Sequence, residues 1–240
     1  GNGINPPHLV AVLVGDDGAS KTYVNAKVKA CERIGFKSTL HHLGSETSEK
    51  ELLKLIKRLN EDDSVDGFIV QLPLPSHMDD HKITLAISPK KDVDGFHPEN
   101  VGKMALGLPT FLPATPNGVM ELLKRYEIPT EGKNTVVIGR SSIVGTPMSI
   151  LMSRKSNPGN STVTHAHSRT KNLEQICKQA DILIVAIGIP EFVTSNMVKP
   201  NAVVIDVGIH RIEDSSKKNG FRLIGDVNFS EVSQKCSYIT

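Results

Sequence analysis

The sequence predicts an α/β protein of two lobes, the second built on a doubly wound parallel sheet, with a cleft between them. Three observations carry this. Short β-branched runs alternate with helical patterns along the chain, the rhythm of parallel strands joined by crossover helices. Near residue 134 the rhythm restarts with a strand, a glycine turn and a helix in "NTVVIGRSSIVGTPMSILMSRK". At 240 residues the chain is long enough for two ordinary domains, each able to bury a core without disulfides.

In order, "HLVAVLVG" is expected as a buried strand, followed by a helix over residues 20–34. "FKSTLHHL" follows as a strand, "SEKELLKLIKRLNED" as an amphipathic helix and "DGFIVQL" as a third strand. Prolines and glycines crowd residues 73–116, which predicts loops and short helices, the kind of surface where functional groups gather. "TPNGVMELLKRYEI" is expected as a helix capped by Thr115 that leads from a first domain, 1–114, into a second, 115–240. Beyond the glycine turn, "STVTHAHS", "DILIVAIG" and "AVVIDVGI" read as further strands, "RKSNPGNS" as a surface loop and "EDSSKKNGF" as an exposed hairpin turning at Asn219-Gly220.

Composition excludes several classes. With 28 basic and 26 acidic side chains the net charge is +2, which marks the molecule for neither nucleic acid nor a membrane surface. The longest apolar runs fall well short of the roughly 20 residues a membrane span needs. Cys31, Cys177 and Cys236 are far apart and lack C-x-x-C spacing, which fits a reducing cytosol better than disulfides or zinc. The histidines have no cysteine partner at ligand spacing, so no metal site is expected. "GNGINPPHLV" reads as an entry in mid-protein, and an upstream targeting segment stays open.

Gly139 ends a strand and Gly145 opens a helix, a placement suited to a pyrophosphate on free backbone N–H groups in a Rossmann-like sheet. The spacing is G-x-x-x-x-x-G rather than G-x-G-x-x-G, so the next strand must discriminate. An NAD site usually ends that strand with Asp or Glu; here stand His167, Ser168 and Arg169, with Arg140 in the turn. Such donors and cations suit a 2′-phosphate, which favours NADP. Asp206 and Asp226 read as backbone caps.

In the first lobe, Tyr23 and Lys27 are one helical turn apart. Spacing alone fits an ordinary half-buried face; a short-chain dehydrogenase pair is rejected because the pair precedes the glycine turn. Gln71 ends a neighbouring strand and Asp94 lies in a glycine-flanked loop, so all four can converge beyond the C-terminal strand ends. An aromatic to stack, an amine to move protons, an amide to hold it and a carboxylate to bind a planar donor pair make a coherent set.

These residues sit in "SKTYVNAK", "DGFIVQLPLP", "PKKDVDGFHPENVG", "PATPNG", "VIGRSSIVGTPM" and "GDV", six blocks that span nearly the whole chain. Together they resemble the bifunctional methylenetetrahydrofolate dehydrogenase/methenyltetrahydrofolate cyclohydrolase family. The resemblance implies Lys27 as the central acid/base, Tyr23 packed over the folate, Gln71 orienting Lys27, and Asp94 accepting from the pterin, with Val70 and Leu72 also at the substrate. It implies Gly139, Arg140, Ser141, Ser168 and Ile209 around NADP, tetrahydrofolate derivatives as partners in one-carbon metabolism and purine biosynthesis, and a cytoplasmic homodimer.

The implied chemistry is hydride loss from the methylene bridge, then attack of water on the methenyl cation to give 10-formyltetrahydrofolate. An amine can serve the second step if burial or a cationic substrate weakens its hold on its proton. The chain stops at "CSYIT", where the family continues into a glycine-rich loop and a closing helix, and the family's first strand and helix would precede Gly1. Either the chain is a fragment or those segments lie outside this sequence. Two alternatives stay open: another two-lobed NADP dehydrogenase of the shikimate dehydrogenase kind, and a folate or nucleotide sensor without turnover.

Overall fold

The computed structural model describes residues 5–217 and 220–240. The chain divides into two compact units, Gly1–Lys103 with Pro109–Ala114, and Met104–Leu108 with Thr115–Thr240.

The first unit is a three-stranded parallel sheet, β1 (His8–Val14), β2 (Lys37–Leu43) and β3 (Gly67–Val70), in the order β2-β1-β3. Helices α1 (Gly18–Ile34) and α2 (Glu49–Glu61) make the crossovers; α3 (Asp80–Ala86) and α4 (Pro98–Ala105) follow β3. As the central strand β1 is buried on both faces, which is why it reads as a continuous apolar run. Its Val10, Val12 and Val14 pack with Leu52, Leu55, Ile56 and Leu59 of α2; its Ala11 and Leu13 pack with Val24 of α1 and Ile69 of β3. The α2 residues recur at helical spacing, and α2 opens with a capping box in which Ser48 and Glu51 satisfy each other's backbone N–H.

From Thr115 the second unit runs unbroken, beginning within α5 (Ala114–Arg125). Thr115 was expected as its N-cap; it lies inside the helix, which starts one residue earlier, and Pro116 adds a fixed φ in the first turn. Five parallel strands follow: β4 (Asn134–Ile138), β5 (Thr162–Ala166), β6 (Ile182–Val185), β7 (Val203–Asp206) and β10 (Tyr238–Ile239). Their order is β10-β7-β6-β4-β5, with α6 (Gly145–Ser153), α7 (Leu173–Cys177) and α8 (Phe229–Val232) between strands. The chain begins in the middle, steps out to β5 and returns past β4 to β6, so the order reverses beside β4, where such sheets take their ligands. Val136, Ile138, Leu183, Val185 and Val204 form the core of this unit.

A hairpin, β8 (His210–Glu213) with β9 (Phe221–Ile224), projects after β7. Of the expected Asn219-Gly220 turn, Asn219 lies outside the described residues; Gly220 accepts from Asp214 N–H at 2.9 Å. The segment 154–161 is only partly a surface loop. Gly159 and Ser161 are buried, tied to the hydroxyl and carbonyl of Thr130, because these groups need partners once the loop folds inward. Among the described residues no helix is long and apolar enough to cross a membrane and no cluster could hold a metal ion. The three cysteines are free, and burial pushes the Cys177 thiol up to about 12.

Candidate active site

In the first unit, α1 brings Lys27 to the end of the sheet. Asp17 caps the helix by accepting from Ser20 N–H at 2.7 Å, and buried Val24 turns the helix so that Lys27 is only partly covered. Gln71 follows β3 directly, and its N–H bonds to Val12 carbonyl at 2.9 Å, extending the ladder by one residue. Its side-chain amide donates to Leu72 carbonyl at 2.8 Å, which leaves Oε1 free to accept from Lys27 Nζ at 3.4 Å. Lys27 Nζ also lies 3.9 Å from Asp94 Oδ1. Lys27, Gln71 and Asp94 are thus brought together as expected from the sequence. Tyr23 stands one turn before Lys27 and is 44% exposed. Val70 is buried in β3 and Leu72 is half-buried beside Gln71.

Asp94 is largely buried, and burial raises its pKa above the ordinary carboxylate range; Lys27 pulls it down and the charge of Asp92 pushes it up again. Asp92 and Asn100, each 2% exposed, are not among the site residues that the sequence points to. Asp92 Oδ2 accepts from His97 N–H and from Asn100 Nδ2, both at 2.8 Å. Asn100 Nδ2 also donates to Pro89 carbonyl at 2.9 Å, and Thr110 Oγ1 donates to Asn100 Oδ1 at 2.7 Å. The loop that carries Asp94 is therefore pinned from three directions by buried groups. The available signal was a carboxylate and an amide inside a Pro/Gly-rich segment, where loops must satisfy their own backbone.

In the second unit, Gly139 (φ +118°) and Gly145 make the turn between β4 and α6. A Cβ on Gly139 would stand 2.0 Å from Ala186 carbonyl oxygen, and one on Gly145 2.0 Å from Gly139 carbonyl oxygen, so both positions need a bare backbone. The N-cap residue of α6, Val144, has no capping side chain. Ser141 reaches over instead: its Oγ accepts from Val144 N–H at 3.1 Å and Gly145 N–H at 3.3 Å. The sequence predicts free N–H groups here for a phosphate. They are engaged, and what Ser141 leaves for an anion is its own O–H. His165 in β5 donates through Nε2 to Gly139 carbonyl at 2.7 Å and steadies the turn from the neighbouring strand.

A cavity of about 470 Å³ opens over this turn. Gly139, Arg140, Ser141, His167, Ser168 and Thr170 supply its polar wall; Leu173, Ile187, Ile189 and Phe192 supply an apolar one. No carboxylate lines it. After β5 the chain turns tightly, with Thr170 Oγ1 accepting from His167 N–H at 2.9 Å, which leaves Ser168 at an exposed apex. Arg140 and Ser168 share this wall, whereas Arg169 and Ile209 are not among its residues; Ile209 is 53% exposed between β7 and the hairpin. The bare-backbone turn, an arginine and hydroxyls without a competing carboxylate fit a phosphorylated dinucleotide. Asp206 and Asp226 cap backbone as expected: Asp206 accepts from Gly208, Asp226 and Val227 N–H, and Asp226 from Ile187 and Gly188 N–H.

Comparison with known proteins agrees with both halves. Residues 2–94 match the catalytic domain of tetrahydrofolate dehydrogenase/cyclohydrolase, and residues 113–240 match its NAD(P)-binding domain. A protein named bifunctional protein FolD from Cytophaga hutchinsonii is 65% identical over 98% of this chain and 81% of its own length. One of the same name from Flavobacterium psychrophilum is 61% identical over 100% of this chain and 81% of its own. The crystal structure of bifunctional FolD from Campylobacter jejuni superposes with a TM-score of 0.90 at 50% identity, covering 98% of this chain and 80% of that one. The Trypanosoma brucei enzyme, solved with NADP and an inhibitor, gives 0.91 at 36% identity over 98% and 80%. A shikimate dehydrogenase from Aquifex aeolicus gives 0.51 at 12% identity over 84% of this chain and 79% of that one, a likeness of fold alone. With two domain models matched in sequence order and relatives this similar along nearly its full length, the chain belongs to the tetrahydrofolate dehydrogenase/cyclohydrolase family.

Proposed function

We propose that the chain is a bifunctional, NADP-dependent enzyme that oxidises 5,10-methylenetetrahydrofolate to the 5,10-methenyl cation and hydrolyses that cation to 10-formyltetrahydrofolate. The observation that carries it is Lys27 Nζ at 3.4 Å from Gln71 Oε1 and 3.9 Å from Asp94 Oδ1, inside a domain that matches the family's catalytic model.

Each residue then has a task. Asp94, ionised, accepts from the amino and ring N–H groups of the pterin and fixes its orientation. Tyr23 packs its exposed ring against the folate, and Val70 and Leu72 flank the substrate beside Gln71. In the hydrolytic step water adds to the methenyl carbon and gives up a proton; the bond from that carbon to N5 then breaks, N5 takes a proton, and the added oxygen loses its remaining proton as the formyl C=O forms, so one proton is released overall. Lys27 is the group that moves these protons, held in place by the carbonyl oxygen of Gln71. Arg140 and Ser168 bind the 2′-phosphate, and Gly139, Ser141 and Ile209 complete the cofactor site. NADP, when bound, supplies the acceptor for the hydride that leaves the methylene bridge.

Residues 1–114 carry the folate and 115–240 the cofactor. A cytoplasmic homodimer belongs to the same proposal and is checked by sedimentation of the purified chain. The decisive test is a pair of assays, NADPH formation from methylenetetrahydrofolate and loss of the methenyl chromophore in water. Both should proceed, with NADP preferred over NAD; oxidation of a hydroxy acid instead, or binding without turnover, sinks the proposal.

A further inference from the structure

Asp226 is 0% exposed, and the chemistry above does not use it. Its Oδ2 accepts from Ile187 N–H at 2.8 Å and Gly188 N–H at 3.0 Å, two and three residues past the end of β6 at Val185. Its Oδ1 lies 2.7 Å from His210 Nε2 at the base of the hairpin. Its own N–H donates to Asp206 Oδ1, the oxygen that also accepts from Gly208 N–H after β7. Backbone bonds repeat the link: Glu191 N–H to Gly225 carbonyl and Val193 N–H to Asp226 carbonyl, each at 3.0 Å. Two interlocked carboxylates therefore hold the two chain segments that leave β6 and β7.

Those segments stand at a defined place in the sheet. In a doubly wound fold the pyrophosphate lies at the first glycine turn and the 2′-substituted ribose at the end of the next strand, here β4 and β5. The other mononucleotide half falls across the switch point, beyond β6 and β7. Ile187, whose N–H Asp226 holds, already lines the cavity. Deepening the NADP assignment above and resting on it, we infer that Asp226, partnered by His210 and braced by Asp206, is a positioning residue for the nicotinamide half of the cofactor.

The test separates the two halves of the ligand and the two activities. Asp226→Asn keeps the shape but loses one acceptor oxygen and the charge. NADP affinity by calorimetry and dehydrogenase kcat/KM should each fall about tenfold, the loss of one charge-assisted bond. Binding of 2′,5′-adenosine diphosphate, which lacks the nicotinamide half, and the cyclohydrolase reaction should stay at parental values. His210→Ala should give the same split in weaker form, and His210→Gln, whose amide N–H can still reach the carboxylate, should return NADP affinity and dehydrogenase kcat/KM to parental values. A parallel fall in both activities, or in both ligands' affinities, would mean a general structural role and overturn the inference, as would unchanged NADP binding. If the parent protein itself fails to bind NADP, the cofactor assignment falls, and the inference with it.

Discussion

Asp94 sits where burial opposes its charge, and this sets the direction in which pH acts on it. Its pKa is raised in the folded chain, chiefly by burial, so the folded state holds the proton more tightly than the unfolded one. Its contribution to stability is present at low pH and is lost as pH rises through the folded value. Asp94→Asn should therefore melt higher than the parent at pH 7, with the difference closing as pH falls toward ~4, near the unfolded value. Folate binding by the variant should be lost, since an amide cannot present two acceptors to the pterin. In the parent, folate affinity should begin to weaken at a higher pH than an ordinary aspartate would dictate. Lys27→Ala should abolish hydrolysis of the methenyl substrate while NADP binding stays within about twofold by calorimetry. Arg140→Ala should raise the Kd for NADP by about ten- to a hundredfold, one strong ionic hydrogen bond or two, and change that for NAD far less.

Among the elements, α6 depends on a hydroxyl three residues before its N-cap. Ser141→Ala leaves Val144 and Gly145 N–H without their partner and should cost about 1 kcal/mol of stability, read from urea denaturation, together with weaker NADP binding. The strands and main helices were legible in the sequence because β-branched runs and helical apolar spacing report directly which faces are buried, as in β1 and α2. The convergence of Lys27, Gln71 and Asp94 was legible for a related reason: strand ends and helix starts have fixed places in a parallel sheet. The supports were not. Asp92, Asn100 and Thr110 meet through tertiary folding of a loop, and no local period announces that. The N–H groups at the start of α6 are engaged rather than free because Ser141 acts across a turn, which no local period reports, and Thr115 lies one residue inside its helix because helix ends shift by a residue or two without changing the pattern.

On the scale of the whole molecule, chemistry is divided between units with separate cores. NADP added alone, at about 100 times its Kd, should stabilise what it binds by about 2.7 kcal/mol. Hydrogen exchange should show that protection over residues 139–146 and 187–193, with α2 and β2 of the first unit unchanged; protection confined to the first unit would contradict the assignment of the cofactor. The near balance of charge, +2 over 240 residues, implies that selectivity comes from these local constellations rather than from a long-range field.

The hydroxyl of Ser141 has one more effect. It receives two hydrogen bonds from the start of α6 and keeps its own proton for a visitor. A phosphate oxygen that draws on that proton makes the hydroxyl oxygen richer in electron density, and its grip on the two N–H groups tightens in response. Occupancy and helix order thus reinforce each other through a single atom, a latch that closes harder when something is in it.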